Sequence, residues 1–254
     1  MRWPGFRRVR SQVCKRIVRR ISELGVDGFA GYREHLESHD DEWPVLDGLC
    51  RITISRFWRD RAMFEALFDD VLPTLARTAL DRGDETIRCW SCGCASGEEP
   101  YSLRIGWDVT LAERFPAVSL EIVATDADPH MLDRARAGVY PRDSIRDLPR
   151  QWQEQAFEVR GDDVLLHPEH HASITWLCQD VRSASPSGPS DLVLCRNLVF
   201  TYYDESLQLE ITRRLAAAIR PGGALVVGSH ETLPPDQTDF ERWAPHGAIY
   251  RRRP

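Results

Sequence analysis

Two adjacent carboxylates, Glu98 and Glu99, follow the small-residue loop Cys92-Gly93-Cys94-Ala95-Ser96-Gly97 and stand just before Pro100. Gly93 and Gly97 let the backbone turn tightly and come close to a ligand. Acids suit the first turn of a helix, and Pro100 fits there because first-turn amides lack helical partners. Upstream, Ile87–Trp90 reads as a strand. Strand, glycine loop and helix form the unit with which α/β proteins hold nucleotide-like cofactors. The acidic pair argues against a phosphate ligand, which calls for bare amides and a lysine. It favours a ligand with hydroxyls or positive charge; S-adenosylmethionine carries a ribose diol, an ammonium and a sulfonium.

Asp126 ends the apolar run Leu120–Thr125, where an acid can accept both ribose hydroxyls. Asp128 is the better helix cap of the two. The C-x-x-C-x-C run at Cys89, Cys92 and Cys94 has no second cysteine pair nearby, so it reads as small residues on a crowded strand and no metal is expected.

The elements that must position these groups follow from periodicity. Val9, Val13, Ile17, Ile21 and Leu24 mark one helix face, and Phe29, Tyr32 and Leu36 mark a second helix. Met63, Phe64, Leu67, Phe68 and Val71 mark another. The polar stretch 80–86 reads as a linker, so the expected domains are a helical one over 1–80 and a cofactor-binding one over 81–254. From Ile87 strands and helices alternate, which predicts a doubly wound, Rossmann-like sheet. Ile174–Leu177, Leu192–Cys195 and Ala224–Gly228 read as further strands, and Phe240–Arg251 as a closing hairpin. Asp204 caps a helix with Leu207, Ile211, Leu215 and Ile219 inward, and Pro221-Gly222-Gly223 ends it. Residues 141–172 break the alternation: Phe157–Val159 and Val164–Leu166 flank Gly161-Asp162-Asp163, a hairpin signal, so a short antiparallel insertion is expected there.

The 254 residues are 42% apolar, enough for a core and against disorder. A net charge of −6 excludes a nucleic-acid binder by bulk field. The start is the exception: Arg2, Arg7, Arg8, Arg10, Lys15, Arg16, Arg19 and Arg20 precede the first acid, Glu23. Lys15 is the sole lysine, so arginine usage is global and no single arginine reads as chosen over lysine. The basic start leads into no apolar run, no stretch reaches membrane-spanning length, and seven cysteines follow no framework spacing. A cytoplasmic, monomeric protein with reduced thiols is the expectation.

Five segments share an order and spacing: I-S-R-F-W-R-D at 54–60, G-E-E-P-Y-S at 97–102, I-V-A-T-D-A-D at 122–128, D-L-V-L-C-R-N at 191–197 and P-G-G-A-L-V-V-G-S-H-E at 221–231. Together they resemble the CheR-type methyltransferases of bacterial chemotaxis, from about Val9 to the C-terminus. The resemblance implies methyl transfer from S-adenosylmethionine to glutamate side chains of an acidic, helical chemoreceptor or another protein carrying the acceptor. It implies cofactor contacts at Thr53, Ser55, Arg59, Gly93, Glu98, Asp126, Asp180, Val181, Asn197 and Leu198. Ser55 also reads as a plain helix cap and Asp180 as an ordinary loop acid. Asn197 can offer a carbonyl to the cofactor or line the methyl channel. Arg59 and Tyr202 take the catalytic parts. The run from Asn197 to Asp204 is one residue longer than the family pattern, so Tyr202 and Tyr203 compete for that part. G-S-H-E stands where the family has G-H-S-E, which brings His230 into consideration. Two other readings stand beside this one: a different acceptor, protein or small acid, and a cofactor-binding scaffold without turnover.

Overall fold

The computed structural model describes residues 9–50, 55–171, 173–243 and 245–254. Cα packing divides the chain into two compact units, Met1–Ile54 and Ser55–Pro254.

In the first unit, α1 (Arg10–Leu24) ends on Gly25 at φ +68°, and α2 (Gly28–Ser38) and α3 (Glu42–Cys50) follow. Ile21, Tyr32 and Leu36 form the apolar centre, with Ile17, Leu24, Val26 and Leu46 packed around it. Glu42 is buried here. It accepts from Arg20 Nε and Nη2 at 3.0 and 2.7 Å and from the Tyr32 hydroxyl at 2.8 Å. The Arg20 hydrogen bonds pull the Glu42 carboxyl down to about 2, and burial pushes the Tyr32 phenol up to about 12.

The second unit is built on a seven-stranded sheet. Its strands are β1 (Thr86–Cys92), β2 (Ser119–Asp126), β6 (Ile174–Cys178), β7 (Ser190–Leu194), β8 (Ile219–Val226), β9 (Phe240–Arg242) and β10 (Ile249–Arg252), in the order β6-β2-β1-β7-β8-β10-β9. The first five of that order run parallel, and β10 and β9 close the edge antiparallel. Strand alternation sends Ile87, Cys89, Leu192 and Leu194 into one apolar layer and Trp90, Cys92, Val193 and Cys195 into the other. Both faces are therefore covered, as a parallel sheet requires. The chain leaves β1 toward β2 and β6, then returns to β7 on the other side. That reversal opens a crevice at the carboxyl ends of β1 and β7, where open α/β sheets bind ligands.

The expected boundary at residue 80 moves. Helix α4 (Arg61–Ala66), a π-helical turn (Leu67–Val71) and α5 (Leu72–Asp81) belong to the sheet unit. A Cβ on Gly106, in α6 (Glu98–Thr110), would lie 2.3 Å from Phe68 Cζ. Only glycine lets this helix approach so closely, and the expected 80–86 linker becomes a tight turn into β1.

The insertion is a three-stranded antiparallel sheet, β3 (Val139–Pro141), β5 (Asp163–Leu166) and β4 (Phe157–Arg160), in the order β3-β5-β4. The hairpin was legible; β3 and the helix α8 (Arg150–Ala156) before β4 were not. Helix α7 (Pro129–Ala137) starts on Asp128, whose side chain accepts from His130 N, and ends on Gly138 at φ +62°. Two helices follow β7: α9 (Val199–Tyr202) and α10 (Glu205–Ala218), the latter capped by Asp204 through Leu207 N.

Candidate active site

The glycine loop between β1 and α6 is tied to β2 by backbone. Gly93 N and Cys94 N both donate to the Thr125 carbonyl, at 2.8 and 2.9 Å. Ala95, held at φ +52°, donates its N–H to Asp126 Oδ2 at 2.9 Å, and Asp128 N donates to Oδ1 at 2.9 Å. A carboxylate has roughly four acceptor positions, and these amides take one on each oxygen. Glu98 is buried and accepts from the Ser96 hydroxyl at 2.9 and 3.0 Å. The Ser96 carbonyl in turn accepts from Tyr140 at 2.7 Å. Burial first, then the nearby charges of Asp126, Glu99 and Glu98, hold the Cys94 thiol protonated. A Cβ on Gly93 would lie 2.6 Å from Leu198 Cδ2, so Leu198 rests directly on the loop. Gly93, Glu98, Asp126 and Leu198 thus meet at one place. A close-approach loop lined by acids fits a ligand with a diol and positive charge and disfavours a phosphate.

Beyond β6, Asp180 is clamped by its near neighbour. It accepts from the Arg182 backbone N–H at 2.9 Å and from the Arg182 guanidinium at 2.6 to 3.0 Å. Val181 is buried, and its carbonyl accepts from Arg214 at 2.7 Å. Tyr203 belongs to this side. Burial raises its phenol to about 12, with Arg182 opposing and Asp180 adding.

The opposite wall starts at the end of β7. Asn197 has φ +54°, and its backbone N–H donates to Glu231 Oε2 at 2.7 Å. Gly228 N donates to the same oxygen at 2.7 Å, and Thr201 Oγ1 to Oε1 at 2.5 Å. Gly228 has no side chain because a Cβ would meet Asn197 Oδ1 and Glu231 Oε2, each at 2.8 Å. The acid of the G-S-H-E run is therefore the inward group; His230 is exposed. The run after Asn197 forms α9, which ends on Tyr202. Burial raises the Tyr202 phenol; Arg59 opposes that rise and Glu231 adds to it. The two tyrosines thus feel different charges, Arg59 and Glu231 for Tyr202 and Arg182 and Asp180 for Tyr203, and Glu231 is bonded to Thr201, the residue before Tyr202.

Arg59 sits between two non-glycine residues in the left-handed region, Trp58 at φ +57° and Asp60 at φ +64°. The indole of Trp58 stacks on Phe64 at 4.6 Å and meets Trp152 edge-on at 4.6 Å. Its backbone N–H donates to Ser102 Oγ at 2.9 Å. Ser55 is half-buried and caps no helix, because α4 begins only at Arg61. Thr53 lies outside the described residues.

Arg196 was quoted in the C-R-N motif but assigned no job by sequence. Its side chain is only 4% exposed, and it bridges three segments. Nη1 donates to Glu99 Oε2 at 2.9 Å; Nη2 donates to the Arg59 carbonyl at 2.9 Å and to Asp60 Oδ2 at 2.6 Å. Glu99 also accepts from Ser91 Oγ at 2.7 Å. Ser96, Trp58 and Glu231 are further residues that sequence reasoning left aside; the one available signal was the place of Trp58 and Glu231 inside the motif segments and of Ser96 in the glycine loop.

Cys89 and Cys92 point into opposite apolar layers, so the C-x-x-C run does not converge. Among the described residues no group of three or more His, Cys, Asp or Glu is arranged to hold a metal ion.

Doubly wound sheet, acid-lined glycine loop and strand-end carboxylate define the class of S-adenosylmethionine-dependent methyltransferases. Residues 53–247 match the family described as CheR methyltransferase, SAM binding domain. The chain belongs to that family, and its cofactor is S-adenosylmethionine. It is 32% identical to the chemotaxis protein methyltransferase of Klebsiella aerogenes, over 91% of this chain and 78% of that protein. It is 31% identical to the chemotaxis protein methyltransferase of Escherichia coli K12, over 88% of this chain and 77% of that one. An uncharacterized 104.1 kDa protein of Rhodobacter capsulatus is 33% identical over 90% of this chain, which spans 24% of that protein's length.

Proposed function

We propose that the protein transfers a methyl group to a glutamate side chain of a chemoreceptor-like protein, working in the cytoplasm as a monomer. The observation that carries this reading lies just beyond β7, where Arg196 bonds the Arg59 turn, Asn197 and Thr201 bond Glu231 beside Tyr202, and Leu198 rests on the acid-lined loop. When bound, the cofactor supplies an electrophilic methyl group on a sulfonium. Asp126 and Glu98 would hold its polar groups, Gly93 and Leu198 would let it approach the loop closely, and Asp180 and Val181 would take part in holding it.

A glutamate carboxylate has a reference pKa of about 4.3, so it is already an anion at neutral pH and needs no general base. The protein's task is then alignment and exclusion of water. Arg59 presents a planar fork that can grip the acceptor carboxylate in line. Tyr202, kept protonated by burial, is a hydrogen-bond donor beside it. Charge is lost as anion meets cation, so a dry site favours the reaction.

One observation favours a second acceptor class. The family resemblance implies that the antiparallel insertion touches the receptor, and here the β4–β5 hairpin closes over Gly161 and Asp162 alone, leaving little loop to tether a receptor tail. A different protein or a small acid is the alternative acceptor. Methyl transfer from radiolabelled cofactor, with and without receptor cytoplasmic fragments, separates these readings. Base-labile label on the fragment supports the receptor reading; label elsewhere supports the alternative; cofactor binding with no transfer sinks both.

A further inference from the structure

We propose that Arg196 is a positioning residue whose buried guanidinium fixes the Trp58–Asp60 turn and thereby the place of Arg59. The inference rests on Arg59 serving the site as read above.

The turn is costly by itself. Two left-handed placements flank Arg59, one on tryptophan and one on aspartate. Each non-glycine residue held there costs on the order of 1 kcal/mol and persists only where its surroundings over-determine it. Local sequence offers no cap: the Asp60 side chain makes no capping bond to α4. Its carboxylate goes instead to Arg196, as does the carbonyl of Arg59 itself. The other end of Arg196 is anchored by Glu99, one residue beyond the cofactor-loop acid Glu98, and Glu99 is braced by Ser91 on β1. The guanidinium also lies 5.6 Å over the Phe64 ring, which stacks on Trp58.

One side chain therefore joins the end of β7, the first turn of α6 and the Arg59 turn. Asn197 follows Arg196 directly in sequence, so both walls of the site take their spacing from one planar group. A lysine cannot replace it: one ammonium does not span Glu99 and Asp60 with the fixed fork geometry of arginine.

Arg59 opposes the upward shift of Tyr202, so the titration of Tyr202 reports where the guanidinium of Arg59 sits. The test labels the full chain with 3-fluorotyrosine and follows the Tyr202 resonance by fluorine NMR against pH, assigned by Tyr202→Phe. Arg59→Ala should move the titration upward. Arg196→Lys should move it the same way, and the double variant should move it no further than the larger single one. Hydrogen exchange at residues 58–60 should accelerate in Arg196→Lys while β2 amides stay protected. Methyl transfer should fall by about tenfold or more, and by far less in the Arg59→Ala background, as for residues in one network.

Asp60→Asn provides a second route if Arg196→Lys does not fold, since it leaves the Arg196–Glu99 pair intact. A Tyr202 titration unmoved in both variants, or shifts that add in the double variant, overturns the positioning role. An Arg59→Ala enzyme with wild-type affinity and turnover sinks the catalytic reading of Arg59 instead, and the titration still judges the hold of Arg196 on the turn.

Discussion

The two walls of the site are held by different physics. The glycine-loop wall is local: Ser96 bonds Glu98 and Asp128 bonds Asp126, each two residues apart. Most of its remaining bonds are backbone amides to a carbonyl or carboxylate of the neighbouring strand. The Arg59–Asn197 wall is held by the buried guanidinium of Arg196, which reaches across the chain to Asp60 over 136 residues and to Glu99 over 97, and by the buried carboxylate of Glu231. A cradle for a cofactor can be encoded in one strand–loop–helix unit. A surface that aligns a variable acceptor is assembled from distant segments, and each join needs a charge-assisted bond to keep its geometry.

If this division holds, substitutions on the long-range wall should strike turnover and those on the local wall affinity. The largest effect is expected for Arg59→Ala. Turnover should fall about 10²-fold, or roughly 2.7 kcal/mol of transition-state stabilisation, with affinity for S-adenosylhomocysteine near wild type. Arg59→Lys should recover little of this. Single-turnover methyl transfer at saturating cofactor measures it, and a loss confined to affinity would place Arg59 on the cofactor wall instead.

Next, Asp126→Ala should weaken S-adenosylmethionine and S-adenosylhomocysteine alike, by about thirtyfold or roughly 2 kcal/mol, because the ribose is common to both. Calorimetry showing wild-type affinity for either ligand would remove Asp126 from the cradle.

A buried charged network outside both walls serves as a control. Glu42→Gln should destabilise the first unit by roughly 1.5 kcal/mol, the scale of hydrogen bonds to a charged group, without changing cofactor affinity. The folded pKa of Glu42 is about 2, below its unfolded value, so its contribution is full above the ordinary glutamate range and is lost as pH falls through about 2. Hydrogen exchange in residues 10–50 should therefore separate variant from wild type at neutral pH and converge near pH 2. A gap that persists there would assign the effect to packing.

Gly93→Ala tests the point where the walls touch. Gly93 has φ +73°, and its added Cβ would displace Leu198. A cost of about 1 kcal/mol, several-fold in cofactor affinity, is expected. The smallest effect concerns the basic face of α1. Arg20 is committed to Glu42, which leaves Arg16 and Arg19 as the more exposed charges, with Arg19 also pairing with Glu23. Charge reversal at both should slow methylation of an acidic protein acceptor a few-fold at low salt and less at high salt. A rate indifferent to salt and charge leaves that face a solvated surface.

Periodicity and punctuation revealed the parallel strands, the helix caps at Asp128 and Asp204, the closing hairpin and the acid-lined loop. These are short-range signals, fixed by strand pleat, helix pitch and the special φ of glycine. The helix face at Met63, Phe64, Leu67, Phe68 and Val71 was legible but its packing with the sheet unit was not, because apolar spacing marks a face without saying what covers it. The third strand of the insertion escaped because three residues carry too little pattern.

The sequence by itself determined the fold class, the acid-bearing glycine loop and the family, because each is written in residues close together or in motifs of fixed order. Only the tertiary structure decided that Tyr202 feels the charge of Arg59 while Tyr203 feels those of Arg182 and Asp180, that Glu231 rather than His230 is buried, and that Arg196 joins Glu99 to the Arg59 turn. Those choices depend on which distant charges share one dry space, and no local spacing carries that information.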